Sequence, residues 1–444
     1  MTRRIILILS TLLLCCIPAA VGQVVLPDDE TDEADELQQE RPEAEVPREP
    51  MAPLDSLRVV VDSLLNEDNY TQAKTSTMTV KRGRKRIKVP YTTYVRRSFS
   101  VGCCIYDLTA DTMLYVKNPD KMMTPASTQK LYVAAAMVNS RGRSFTFNTN
   151  VYCDGLEKID SLGRKFLDGD IYVSTSCDPS LGKSATGQIL KDIQGTLDID
   201  SINGTIAQCI TPKTSRVKLH EDELASMIVK ALKQDSILLL NPSAGTAGRP
   251  AHRMWCMARL RTPLDDILER MLRSSDNTYA ECVLLNLRDD DENWTYSDCK
   301  DVVVRMVNHI YRKYNHEKRD LSSTYYNIHD GSGLSFANKT TARSQVDLLR
   351  FIDSDKRIFN TIYPHLPRAG ETGTLSRRMT SGPAHDNVRA KTGTLRGTIT
   401  LSGYLTAANG HRIAFSILVN DCPDKSFSRG LQDKICQFMA GLDY

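Results

Sequence analysis

The sequence predicts a mixed α/β (α+β) protein, and two observations carry that prediction. Amphipathic helical patterns recur at 54–65, 221–233, 264–272, 279–287, 301–314 and 342–353. Between them lie short alternating or apolar runs bounded by turn residues, which read as strands. Hydrophobic residues are 41% and charged residues 25%, which suits a globular chain and excludes wholesale disorder. At 444 residues a large core is available, and at ~100–200 residues per domain the length alone predicts two or three domains.

Arg3 and Arg4 precede an apolar run from Ile5 to Ile17, followed by Pro18, Ala19, Ala20, Val21 and Gly22. A positive start, a short apolar stretch and a small-residue end describe a secretory signal over 1–22, with cleavage before Gln23. The alternative is an uncleaved anchor, although a bilayer span needs ~20 apolar residues and this run has 13. Leu14 stands where lipidation of Cys15 would want a small residue. The expected location is therefore exported, in the periplasm. That compartment permits disulfides. The ten cysteines from Cys103 to Cys436 form no C-x-x-C pair and no Cys/His ligand spacing, so no metal or other cofactor is expected.

Residues 23–50 are acidic, proline-bearing and poor in large apolar residues, which predicts a disordered linker. The net charge is +3 overall, −9 in residues 28–50 and +2 in the first 22, leaving +10 for the rest. An acidic segment joined to a moderately basic body is not the pattern of a uniformly charged nucleic-acid binder. The body begins with the helical pattern at 54–65. A basic run follows, made of Lys81, Arg82, Arg84, Lys85, Arg86 and Lys88, with Arg96 and Arg97 beyond it. It reads as a solvated hairpin loop or lysine-protected edge strand, or as a contact for an anionic polymer or membrane surface.

Residues 99–106 and 113–116 predict a hairpin around Asp111, in which adjacent Cys103 and Cys104 point to opposite faces. Residues 125–138 predict a helix, with Pro125 near its first turn and an alanine-rich interior. Strands are predicted at 147–152 and 170–174. The chain ends with a hairpin, 398–405 and 412–419 about Ala408-Asn409-Gly410, and a terminal helix near 427–440.

Three short motifs stand in order: Ser127-x-x-Lys130, Ser275-Asp276-Asn277 and Lys391-Thr392-Gly393. Each alone is weak, but the ordered set, each in suitable local structure, is specific. Ser127 lies in the first turn of a helix, where free backbone N–H groups favour developing negative charge. Lys130 follows three residues later on the same face. A serine hydroxyl needs an adjacent base, and a lysine serves only when neutral. Burial and a second cation, for which Lys391 is placed, both lower its pKa. Gly393 lets a strand approach substrate, and the N–H groups of Ser127 and Thr394 can form an oxyanion hole. Ser275 can relay a proton, Asn277 can hold Lys130 and a substrate carbonyl, and Lys391 with Thr392 can bind a carboxylate. The competing account makes Ser127 a helix cap and Lys130 a surface residue. No H-E-x-x-H, P-loop or G-x-S-x-G pattern offers another chemistry.

With these motifs the chain resembles the class C penicillin-binding proteins, the D-alanyl-D-alanine carboxypeptidase/endopeptidase family. Pro125-Ala-Ser-Thr-Gln-Lys-Leu131 is similar to its P-A-S-T-x-K-L, and Ser275-Asp-Asn with Ala280-Glu281 to its S-D-N-x-x-A-E. Asp330-Gly-Ser-Gly-Leu-Ser335, Leu366-Pro-x-Ala-Gly-x-x-Gly-Thr-Leu375, Ala390-Lys-Thr-Gly-Thr-Leu395 and Leu401-Ser-Gly-Tyr404 continue the series to the C-terminus. The resemblance implies the serine β-lactamase/DD-peptidase fold: an antiparallel sheet flanked by helices, plus a helical subdomain. It implies a catalytic domain split into 51–165 and 219–444 around a reduced insertion at 166–218. It also implies a penicillin-binding serine peptidase, a hydrolase that cuts peptidoglycan stem peptides through an acyl-enzyme on Ser127, with Lys130 as base. Partners would be wall peptides and β-lactams.

The interval from Ser127 to Ser275 is short for the family's two accessory domains, and Phe336 stands where some members have arginine. Two other functions remain in view. A β-lactamase or esterase could use the same motifs, with Glu371 as a candidate for positioning water. A catalytically silent wall-binding protein is the third.

Overall fold

In the computed structural model of the chain, the described residues are 53–66, 70–82, 85–196, 199–209, 224–234, 237–240, 244–247, 254–287, 295–315, 322–422 and 424–444. The signal expected at 1–22 and the linker expected at 23–50 lie outside them. Residues Met51–Tyr444 form one compact unit.

Helix α1 (Pro53–Leu64) opens the described chain. Strands β1 (Tyr70–Arg82) and β2 (Lys85–Arg97) form an antiparallel ribbon that no other strand joins among the described residues. The basic run thus lies in a hairpin. Strands β3 (Ser100–Asp107) and β4 (Thr112–Lys117) follow, then helix α2 (Gln129–Arg141), entered through a 3-10 turn at Ala126–Thr128.

The chain then leaves this body to build two further sheets. Their elements are β5 (Thr146–Cys153), β6 (Leu156–Ile159), β7 (Lys165–Asp168), β8 (Ile171–Thr175), α3 (Lys183–Thr196), β9 (Ser201–Asn203), β10 (Ile206–Cys209), α4 (Leu224–Gln234), β11 (Leu238–Leu239), β12 (Ala244–Ala247) and β13 (Trp255–Pro263). One sheet has the order β12-β10-β8-β5-β13 and the other β11-β9-β7-β6. Leu167, Ile171, Val173, Ile202, Ile228 and their neighbours form its separate apolar core. The expected insertion, 166–218, is too narrow at both ends, because β5 and β13 pair with each other and β5 with β8. Strand β5 alternates between buried and half-buried residues. That pattern marks a strand but does not say which sheet it joins.

The chain returns through α5 (Leu264–Arg273), α6 (Asn277–Leu285) and α7 (Tyr296–Asn315). Short strands β14 (Tyr326–Asn327) and β15 (Lys339–Thr340) pair and close off the loop between them. Helices α8 (Ala342–Ser354) and α9 (Lys356–Ile362) precede β16 (Arg389–Leu395), β17 (Thr398–Thr406), β18 (Arg412–Asn420) and α10 (Lys425–Ala440).

The main sheet has the order β16-β17-β18-β3-β4 and is antiparallel throughout. Strands β17 and β18 are buried on both faces; β18 reads as a nearly continuous apolar run, whereas β17 alternates apolar residues with Thr398, Thr400 and Ser402. Between them Gly410 takes φ +83° in the expected Asn-Gly turn. One face packs on α1 and α10 through Leu57, Val61, Phe415, Ile435 and Met439. The other carries Cys104, Val346 and Leu418. Cys103 and Cys104 therefore enter different cores, as alternation requires. Cys103, Cys104, Cys153, Cys422 and Cys436 are buried and form no disulfide. Helices α2, α5, α6, α7 and α8 share a third core around Leu131, Leu268, Val283 and Leu348. None of the helices among the described residues is long and apolar enough to cross a membrane.

Candidate active site

The three motifs converge where α2, the start of α6 and the edge strand β16 meet. Ser127 sits in the 3-10 turn before α2, half-buried. The preceding Ala126 takes φ +48°, a conformation that non-glycine residues rarely hold. The turn is over-determined by its partners: Thr400 Oγ1 donates to the Pro125 carbonyl at 2.7 Å, and Thr128 Oγ1 donates to the same oxygen at 2.8 Å. Gln345 Nε2 donates to Thr128 Oγ1 at 3.0 Å. A Cβ on Gly393 would lie 2.1 Å from Thr400 Oγ1 and 2.9 Å from the Pro125 carbonyl. The missing side chain therefore lets β16 close on the serine turn, rather than on substrate as the sequence suggested.

Lys130 is fully buried, and its Nζ reaches three oxygens: Ser127 Oγ at 3.0 Å, Asn277 Oδ1 at 2.8 Å and the Ser332 carbonyl at 2.7 Å. Burial lowers its pKa from 10.5 to about 7, against the opposing pull of Glu281, Asp330 and Asp276. The competing account of Lys130 as a surface residue is thus excluded.

Asn277 begins α6. Asp276 caps that helix by accepting from the N–H groups of Thr278 at 3.0 Å and Tyr279 at 3.4 Å. Ser275 just before it has φ +61°. Lys391 on β16 is also fully buried, and its Nζ donates to Ser275 Oγ at 2.8 Å and to the Thr392 carbonyl at 2.9 Å. Burial, reinforced by the charge of Lys130, holds its pKa well below the usual lysine value. Lys391 therefore lies beneath Ser275, behind the residues that line the pocket.

An open pocket of about 210 Å³ faces these groups, lined by Ser127, Ser275, Asn277, Thr392 and Thr394. Thr374 also lines it, and its Oγ1 shares a 2.6 Å hydrogen bond with Thr392 Oγ1. Strand β16 forms the sheet edge here, paired on its outer side only by the Arg368–Arg389 bridge among the described residues.

Six contributors carry no role in the sequence reading. The Ser332 carbonyl holds Lys130, and Glu281 positions its loop by accepting from Ser332 N–H at 2.9 Å and Tyr296 Oη–H at 2.8 Å. Asp330 staples the same loop by accepting from the N–H groups of Gly333 at 2.7 Å and Ser335 at 2.8 Å. A Cβ on Gly333 would lie 1.9 Å from the Ala126 carbonyl, so only glycine lets this loop reach the serine turn. The signals were the D-G-S-G-L-S string for the loop and the S-D-N-x-x-A-E string for Glu281. Arg378 and Arg429 line the pocket from the far side. Arg378 is paired with Asp433 at 2.6 Å. Arg429 is exposed on α10 and has no ion-pair partner among the described residues. No local motif marked it.

Glu371, the candidate water-positioning carboxylate, is paired with His385 at 3.1 Å and Arg368 at 3.8 Å, and it does not line the pocket. Among the described residues, no group of three or more His, Cys, Asp or Glu side chains is placed to hold a metal ion.

Comparison with known proteins agrees with this architecture. The D-alanyl-D-alanine carboxypeptidase DacB of Haemophilus influenzae is 28% identical over 203 residues, covering 45% of this chain and 41% of its own length. A carboxypeptidase of Mycobacterium tuberculosis is 24% identical over 374 residues, covering 71% of this chain and 75% of its own. Among solved structures, penicillin binding protein 4 from H. influenzae superposes with a TM-score of 0.62 at 19% identity, covering 76% of this chain and 97% of that one. A predatory peptidoglycan endopeptidase from Bdellovibrio bacteriovorus gives a TM-score of 0.53 at 18% identity, covering 77% of this chain and 93% of that one. These likenesses show the fold. The sequence profile of the D-Ala-D-Ala carboxypeptidase 3 (S13) family matches residues 96–200 and 183–442, a span that takes in every element of the site, and the chain belongs to that family.

Proposed function

We propose that this chain is a serine D-alanyl-D-alanine carboxypeptidase and endopeptidase acting on peptidoglycan stem peptides through an acyl-enzyme on Ser127. The observation that carries this reading is Lys130: a fully buried amine with a pKa of about 7, within hydrogen-bond distance of Ser127 Oγ. When neutral, it keeps two N–H groups for Asn277 Oδ1 and the Ser332 carbonyl and turns its lone pair to Ser127. It then takes the hydroxyl proton as Oγ bonds to the scissile carbonyl carbon. The N–H groups of Ser127 and Thr394 hold the oxyanion. Collapse of that intermediate breaks the C–N bond. The proton reaches the leaving amine through Ser275, which Lys391 positions, and water then hydrolyses the ester by the reverse route.

The substrate lies along the open edge of β16, its carbonyl near the Asn277 amide, its terminal carboxylate between Thr392, Thr394 and Arg429. The same pocket binds β-lactams, whose reactive amide mimics the D-Ala-D-Ala bond. The catalytic part is the main sheet and helices on either side of the Thr146–Pro263 sheets. The signal pattern at 1–22 supports work outside the cytoplasm. The commitment of Glu371 to His385 and Arg368 gives no support to rapid β-lactam turnover. The test is release of D-Ala from a peptide ending in D-Ala-D-Ala. The chain is expected to release it, and Ser127→Ala to lower kcat by a factor on the order of 10⁵. Equal release by the variant would remove the assignment.

A further inference from the structure

The ribbon of β1 and β2 is unlike the rest of the molecule. It pairs over thirteen residues per strand, from Tyr70 opposite Arg97 to Arg82 opposite Lys85. At ~3.4 Å per residue it is roughly 40 Å long. Among the described residues no other strand joins it. Its base is fixed: two residues after Arg97, Phe99 is buried against Phe427 of α10 in an edge-on contact at 5.6 Å, and β3 begins at Ser100. Residues 70–97 contain nine lysines and arginines and no acidic residue. The register sets Lys81 opposite Arg86 and Arg82 opposite Lys85, so like-charged residues are paired at the end farthest from the base. Arg86 and Lys88 are exposed and have no ion-pair partner among the described residues. Like charges directly opposite weaken a strand pair, and an isolated two-stranded hairpin is marginal in water. An opposite charge outside the chain would relieve both.

The two faces differ. Strand alternation places Met78, Ile87 and Val89 on one face, with Met78 directly opposite Val89, and the register sets Arg82 and Lys85 at the far end of that same face. Met78 is 48% exposed and Ile87 39%. The other face carries Thr77, Thr79, Arg86, Lys88 and Pro90. A soluble polyanion is matched by charge alone and has no use for the exposed Met78 and Ile87. A bilayer surface bearing anionic lipids offers phosphates beside an apolar boundary, which matches a cationic ribbon with exposed apolar residues next to its basic end. We propose that the β1–β2 ribbon is a docking element that lies on an anionic lipid surface, with Met78, Ile87 and Val89 at the acyl boundary and the basic end among the phosphates.

The test is sedimentation of the full chain with vesicles of phosphatidylglycerol and phosphatidylcholine, against phosphatidylcholine alone. The wild-type chain is expected to bind the anionic vesicles at least about tenfold more tightly, with the difference lost at high salt. The variant K81Q/R82Q/R86Q/K88Q should lose that difference. M78S/I87S should weaken anionic binding about threefold or more, and both should keep the wild-type thermal midpoint. The apolar run at 5–17 is common to all three chains and cancels. If M78S/I87S binds vesicles like wild type while the charge variant loses binding only to purified sacculi, the partner is a wall polymer and the lipid assignment is overturned. Equal binding of wild type and the charge variant to anionic vesicles also overturns it. Should either variant fold poorly, amide exchange on the wild-type chain decides: vesicles should slow exchange across 70–97, and unchanged exchange there contradicts the proposal.

Discussion

The catalytic cleft and the Thr146–Pro263 sheets were made by opposite rules. The sheets have an apolar core of Leu167, Ile171, Val173, Ile202 and Ile228, and their burial follows from pattern alone. The cleft buries two lysine side chains completely and holds Ala126 and Ser275 at positive φ. Each of these features costs stability. They persist because Asn277, Ser332, Ser275, Thr400 and Gly333 fix the surroundings. The difference teaches where to look for chemistry in this chain: at the places where packing has been given up for a particular geometry.

Lys130→Met sharpens the contrast most. It removes the base and replaces a buried amine with an apolar side chain of similar length. Activity on a D-Ala-D-Ala peptide should fall by a factor on the order of 10²–10⁴. The thermal midpoint should hold or rise, because a buried, partly charged group is exchanged for a packed one. A large fall in the midpoint would mean that Lys130 is structural. Arg429→Ala comes next. Loss of a charge-assisted hydrogen bond to the substrate carboxylate should raise KM about tenfold and leave kcat within about twofold. An unchanged KM would take Arg429 out of the substrate site. The smallest effect belongs to the sheets. Ile202→Val, in their core, should lower stability by about 0.5–1.5 kcal/mol in denaturant titration, with kcat of the folded enzyme unchanged. A change in kcat would show that the two regions are coupled.

Much of the cleft was legible because its chemistry is written in short local strings. Ser127 and Lys130 are three residues apart on one helical turn. Ser275 and Asn277 flank a capping aspartate, and Lys391 to Thr394 lie on one strand. The parts that were not legible have physical reasons. A backbone carbonyl such as that of Ser332 has no side-chain signature, and only its loop's glycines hint at the close approach. Arg429 lies on an amphipathic helix, where an exposed arginine is ordinary. That Lys391 is fully buried was not legible either, because a motif shows which residues meet but not which of them is buried. The edges of the inserted sheets were missed because an alternating strand such as β5 reads the same in any sheet. The terminal hairpin was legible because the Asn-Gly turn and the flanking apolar residues agree there, and the 99–116 hairpin because two apolar runs flank Asp111.

The central claim is that Ser127 is acylated with Lys130 as its base, and covalent labelling by penicillin tests it most directly. The rate of adduct formation would be measured between pH 5 and 8, with the modified peptide mapped by mass. Burial depresses the Lys130 pKa to about 7, so the amine is charged and unable to accept a proton below that pH, and neutral above it. The adduct should therefore lie on Ser127, with a rate that falls about tenfold per pH unit below neutrality and levels off above it. An adduct on another residue, or a rate independent of pH across this range, would contradict the account.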